Sequence, residues 1–257
     1  MSRRLEIVEV GPRDGLQNEA VILTVAERLE LIQRLEAAGA RRIEAASFVN
    51  PARVPQMAGA EEIMAALPHQ PGRSRIGLVL NQRGWERLKA TSCDEANVVV
   101  CATDSFGLRN QGADVAVQVE AMHAIAADRA VQGGPPLSVT VSVAFGCPFE
   151  GEVPLDRVVA IVREAAAAGI PEIALADTIG VADPWAVRTR MAAARDAAPD
   201  ARLRLHFHDT RNTGLDLDAL IAAAAWVSAR LGRPAASALA RAGGFPRGAA
   251  DKAGRAA

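Results

Sequence analysis

His206 and His208 stand two residues apart in LRLHFHDTRNTG (203–214), where Leu203, Leu205 and Phe207 alternate with Arg204 and the two histidines. That is the period of a strand, so both imidazoles project from one face at its C-terminal end. Neutral imidazoles on a stiff backbone make half of a divalent-metal site. The plainer alternative is two histidines satisfied by hydrogen bonds within a sheet. Asp14, in GPRDG (11–15), offers a hard carboxylate. With His206 and His208 it gives a mixed O/N ligand set with open positions, suited to Mg2+, Mn2+ or Zn2+ acting as a Lewis acid. Arg13 beside it can stabilise a developing enolate or oxyanion, because guanidinium stays charged and forks two donors. Glu44 lies in an otherwise apolar strand, where an unpaired charge is costly. It either pairs with Arg13 or serves as a site carboxylate. Asp177, opening DTIG, is either a site carboxylate or a helix cap in a strand-to-helix turn. Cys147, in FGCPFEG, reads as a site thiol or as a small buried apolar residue. Asp104 and Arg109 read as loop decoration.

The elements that must hold these groups follow from periodicity and breakers. Strands are expected at 5–10, 42–46, 75–80, 97–101, 137–144, 172–175 and 202–208. Helices are expected at 25–38, 60–67, 85–90, 114–132, 155–168 and 184–198. The first helix has Thr24 and Glu27 placed for a capping box and stops at Gly39. Seven strands alternating with helices make a parallel α/β protein. Regular spacing without a dinucleotide fingerprint favours a TIM (β/α)8-type barrel, which uses about 250 residues. In such barrels chemistry sits at the C-terminal strand ends, and here the polar groups concentrate there. Gln17, Asn81 and Thr178 are at these ends and, with Arg13, are expected to bind substrate.

The totals bound the rest. The chain has 257 residues, 50% hydrophobic, with a formal net charge of −1. That balance makes no electrostatic case for nucleic acid or an anionic membrane surface. No apolar run approaches the roughly 18 residues of a membrane span, and no signal-peptide pattern follows Met1. Cys93, Cys101 and Cys147 are unclustered, which fits a reducing cytosol and a cytoplasmic protein.

EVGPRDGLQNE, IEAASFVNPARVPQM, SVAFGCPFEGEV, ALADTIGVADP and HFHDTRNTG, in that order, together resemble the hydroxymethylglutaryl-CoA lyases over about residues 5–214. The resemblance implies a metal-dependent TIM-barrel lyase, using Mg2+ or Mn2+, that cleaves 3-hydroxy-3-methylglutaryl-CoA to acetyl-CoA and acetoacetate in leucine degradation. It implies Asp14, His206 and His208 as metal ligands, Arg13 as the group that polarises substrate, and Glu44 and Asp177 as active-site carboxylates. Asp177 or His206 is the base. An acyl-CoA partner and a homodimer are what the likeness suggests. The alternatives are a related aldol- or Claisen-type acyl-CoA enzyme, or an impaired remnant.

Residues 1–214 are thus expected to form the barrel domain, and 215–257 a divergent tail. The family's glycine-rich loop, GGCPFAPGATGN, supplies a catalytic cysteine and an asparagine ligand, whereas the tail has neither residue type. In Gly243-Gly244-Phe245-Pro246, Phe245 stands where the cysteine would be. A helix is expected at 220–231. The Ala/Arg-rich composition beyond it points to disorder or a reading-frame shift near residue 215. A seven-strand barrel leaves two open sheet edges and is expected to be less stable than a full-length relative.

Overall fold

In the computed structural model, which describes residues 5–207 and 217–232, seven strands lie side by side in one parallel sheet. They are β1 (Val8–Glu9), β2 (Arg42–Ser47), β3 (Ser74–Val79), β4 (Glu95–Cys101), β5 (Leu137–Ser142), β8 (Glu172–Ala176) and β9 (Arg202–His206), in that spatial order. A two-stranded antiparallel hairpin, β6 (Gly146–Cys147) with β7 (Gly151–Glu152), is inserted after β5. The helices are α1 (Val25–Ala37), α2 (Ala60–Ala65), α3 (Gln82–Lys89), α4 (Asp104–Asn110), α5 (Val115–Gln132), α6 (Leu155–Ala167), α7 (Pro184–Ala197) and α8 (Leu217–Leu231). The sheet curls as a barrel wall does. Among the described residues it does not close, since β1 and β9 are each paired on one side.

Local chemistry explains the helix boundaries. Thr24 and Glu27 exchange the two hydrogen bonds of a capping box. Asn81, Asp114 and Asp183 each accept backbone N–H groups at the starts of α3, α5 and α7, satisfying donors that a helix leaves unpaired. Gly39, at φ 105°, turns the chain out of α1 toward β2. Two expectations change. Asp104 and Arg109 belong to a short helix, α4, rather than a loop. The first strand shrinks to Val8–Glu9 because it sits at the sheet edge and pairs only with β2.

The lumen is filled with polar side chains in two layers. In the lower layer Arg42 binds Glu95 and Glu172 (Nη2 to Glu95 Oε1 2.6 Å, to Glu172 Oε1 2.8 Å), and Ser138 donates to Glu95. Glu6 and Arg202 pair with each other, Glu6 also binds Arg42, and Arg204 binds Glu172, so charge links the two ends of the open sheet. Two residues further along the same strands come Glu44, Asn97 and Thr140, one pleat higher and on the same face. Outside the sheet, Ile32, Ile63, Trp85, Met122 and Ile161 pack the helices onto its back. Finally, α8 lies against α1, with the Arg34 guanidinium 5.3 Å from the Trp226 ring and Arg230 Nε 3.3 Å from Glu27.

Candidate active site

The segment after β1 winds into a single wide turn, Gly11–Gly15, whose amides at 13, 14 and 15 all point at the Val10 carbonyl. Pro12 pre-sets φ at the second residue of the turn. The turn delivers Arg13 over the upper polar layer and Asp14 toward the end of β9.

Arg13 is 7% exposed and Glu44 2%. Arg13 Nε donates to Glu44 Oε1, and Arg13 Nη1 donates to Asp14 Oδ1 at 2.8 Å and to Gln17 Oε1 at 3.1 Å. Gln17 Nε2 donates to Asp14 at 3.3 Å. Of the two readings of Glu44, pairing with Arg13 is the one the geometry contains. Two residues that sequence reasoning missed complete the arrangement. Asn97 Nδ2 donates to Glu44 Oε2 (2.8 Å), and Thr140 Oγ1 donates to Asn97 Oδ1 (3.0 Å).

His206 ends β9, with Nε2 3.6 Å from Asp14 Oδ2. Two donors that each lie about 2.1 Å from one ion can be no more than about 4.2 Å apart, so this oxygen–nitrogen pair fits a shared divalent cation. His208 lies outside the described residues. Among the described residues no group of three or more His, Cys, Asp or Glu side chains stands ready to hold a metal.

Asp177 is 4% exposed. Its backbone N–H donates to the His206 carbonyl (2.9 Å), tying the end of β8 to the end of β9. Its carboxylate accepts the amides of Val181 and Ala182, each at 2.9 Å. It therefore braces the turn before α7, whose cap is Asp183. Thr178 Oγ1 accepts the Val143 amide (2.8 Å) and lies 3.1 Å from Ser142 Oγ. That bond holds Val143 at φ 50°, a left-handed conformation disfavoured for a β-branched residue. Asn81 Oδ1 is engaged by the Gly84 amide as the cap of α3.

Cys147 sits in the β6–β7 hairpin. Burial pushes its thiol up, but hydrogen bonds from Thr103 Oγ1 (3.2 Å) and the Phe149 and Glu150 amides outweigh it and leave the thiol below its ordinary value. Cys93 and Cys101, by contrast, are pushed up by burial to about 12.

No helix of the described residues is long and apolar enough to cross a membrane. The sequence model of the HMGL-like family matches residues 4–231, which takes in α8 and runs past Gly214. (R)-citramalyl-CoA lyase of Chloroflexus aurantiacus is 36% identical over 299 aligned positions, covering 92% of this chain and 94% of that protein. 3-Hydroxy-3-isohexenylglutaryl-CoA/hydroxymethylglutaryl-CoA lyase of Pseudomonas aeruginosa is 36% identical over 215 positions, covering 84% of this chain and 71% of that one. The crystal structure of hydroxymethylglutaryl-CoA lyase from Pseudomonas aeruginosa superposes with a TM-score of 0.85 at 29% identity, over 94% of this chain and 98% of that chain. The chain belongs to the HMGL-like family, and it is a carbon–carbon lyase built on an incomplete TIM barrel.

Proposed function

We propose that the chain performs divalent-metal-dependent cleavage of 3-hydroxy-3-methylglutaryl-CoA to acetyl-CoA and acetoacetate. The observation that carries this reading is the buried Arg13–Glu44 pair set beside Asp14 and His206 at one end of the barrel. Asp14, His206 and His208 would hold the ion, which when bound supplies Lewis acidity toward the substrate's 3-hydroxyl. Arg13 is held by Glu44 with its Nη1 edge on Asp14 and Gln17. It presents a fixed positive charge to the thioester oxygen, where negative charge develops as the C2–C3 bond breaks. Asp177 accepts the hydroxyl proton, and the enolate left when the C2–C3 bond breaks takes up a proton at C2 to give acetyl-CoA. The Asp177 carboxylate is held in place at the end of β8 by the Val181 and Ala182 amides. His206 Nε2 faces Asp14 instead.

The likeness to a citramalyl-CoA lyase over nearly that protein's whole length favours a second substrate, (R)-citramalyl-CoA, for the same chemistry. Incubating the purified chain with each thioester, with Mn2+ or with EDTA, tests both. Metal-stimulated acetoacetate release supports the first reading, and pyruvate release the second. No acyl-CoA cleavage with either, Mn2+ present, overturns both and leaves a non-catalytic remnant.

A further inference from the structure

We propose that Asn97 and Thr140 are positioning residues for Arg13. They stand on β4 and β5, facing the lumen one pleat above the Arg42 layer, and Asn97 is 2% exposed. Thr140 Oγ1 donates to Asn97 Oδ1, Asn97 Nδ2 donates to Glu44 Oε2, and Glu44 Oε1 receives Arg13 Nε. The Glu44 carboxylate, which only accepts, decides which way the Asn97 amide faces, and the Thr140 hydroxyl supplies the donor that the outward Oδ1 then needs. The flipped amide would set oxygen against a buried carboxylate, so the NH2 group meets Glu44 and Oδ1 meets Thr140. Each oxygen of Glu44 then has its own donor, so the carboxylate cannot rotate without losing both. Arg13 is thereby fixed from across the lumen, through three strands. Neither Asn97 nor Thr140 needs to touch substrate. They act through Glu44 on the group that does, and displacing such a group by about 1 Å can cost about a hundredfold in rate.

Two kinds of readout test this. The first rests on the lyase reading. Asn97→Leu keeps the volume and removes the donor, and kcat should fall about tenfold to a hundredfold with KM little changed. Asn97→Asp brings a second carboxylate against Glu44, where two like charges cannot both ionise. Its activity should recover as pH is lowered, a dependence the unaltered protein lacks. Thr140→Val should lose less, and Thr140→Ser should restore. The second readout needs no turnover. The Arg13 Nε–H, observed by 15N NMR, should exchange slowly in the unaltered chain and faster in Asn97→Leu. Folded Asn97→Leu protein with full kcat and unchanged Nε–H exchange overturns the proposal. A chain with no turnover at all overturns the lyase reading alone, and Nε–H exchange then decides the positioning role.

From a different observation we infer that α8 takes the place of the closing helix of the ring, and that the chain lacks an internal stretch that a relative has. The helix beside α1 in a (β/α)8 barrel is the one that follows the eighth strand, and here that neighbour is α8, which follows the seventh. The alignment with the citramalyl-CoA lyase spends 299 positions on 92% of 257 residues, so about sixty positions of that protein have no counterpart here. The 215-position alignment, covering 84% of the chain, has no such excess. The family match runs on through α8 to residue 231, in frame. An in-frame omission accounts for both, as the alternative to a frame shift near residue 215. Trp226→Ala should lower the melting temperature, because an in-frame α8 is part of the folded wall. The coding DNA beyond codon 205, translated in the other two frames, should show no family segment. An unchanged melt, or a family segment in another frame, overturns the inference.

Discussion

The guanidinium of Arg13 and the carboxylate of Glu44 form a buried ion pair that joins the turn after β1 to the middle of β2. Removing one partner of such a pair leaves the other charged and unmatched away from water. Glu44→Gln keeps the shape and removes the charge. It should lower kcat/KM about 10²–10³-fold, measured by steady-state cleavage alongside a melting curve that shows the variant folded.

Asp14 and His206 are expected to share an ion. Asp14→Ala should weaken Mn2+ binding at least about tenfold, read by calorimetry or by the paramagnetic signal of bound Mn2+. Equal affinity in the variant would remove Asp14 from the ligand set.

Arg42 ties Glu95, Glu172 and Glu6 together beneath the site, and these carboxylates hold its guanidinium charged despite burial. Arg42→Ala strands the buried Glu95 carboxylate, leaves Glu172 with Arg204, and should cost about 3–5 kcal/mol of unfolding free energy, measured by urea titration. Pairing it with Glu95→Gln and Glu172→Gln should recover part of that loss.

Glu9 is the clearest source of pH-dependent stability. Burial raises its pKa, and hydrogen bonds from the Gly11 and Val10 amides lower it only in part. The folded state therefore holds this proton more tightly than the unfolded chain. Its contribution is fully present below the unfolded value, about 4.3, and is lost as pH rises through the higher folded value. In melts at pH 4 and pH 7.5, Glu9→Gln should gain stability over the unaltered protein at the higher pH, and less or none at the lower.

The barrel class and the placement of Arg13, Asp14, Asp177 and His206 at or near strand ends, with Glu44 inside β2, could be read directly from breakers and period-2 runs. The lumen could not. Arg42, Glu95, Asn97, Ser138 and Thr140 alternate with apolar neighbours, as they would on a solvated sheet face. One-dimensional pattern does not distinguish a polar face turned to water from one turned to other strands' charges. Only the parallel register, which sets Asn97 beside Ser138 and Ala96 beside Leu137, places them together. Helix α4 escaped notice because seven residues starting DSF give too short a pattern to separate from a loop. Thr178 and Asn81 carried polar side chains at the right ends, but they accept the Val143 and Gly84 amides, tasks of backbone shape.

The layer of charge beneath the site also bears on how the protein responds to heat. Unfolding apolar surface raises the heat capacity, and unfolding polar surface lowers it. A lumen packed with Arg42, Glu95 and Glu172 exposes mostly polar surface when it opens. Its contribution to the heat-capacity increment is therefore smaller than that of an aliphatic lumen of equal size, and the stability curve is correspondingly flatter. The penalty for burying those charges also falls with temperature, so the lower half of this barrel loses less of its hold on warming than its aliphatic outer shell does.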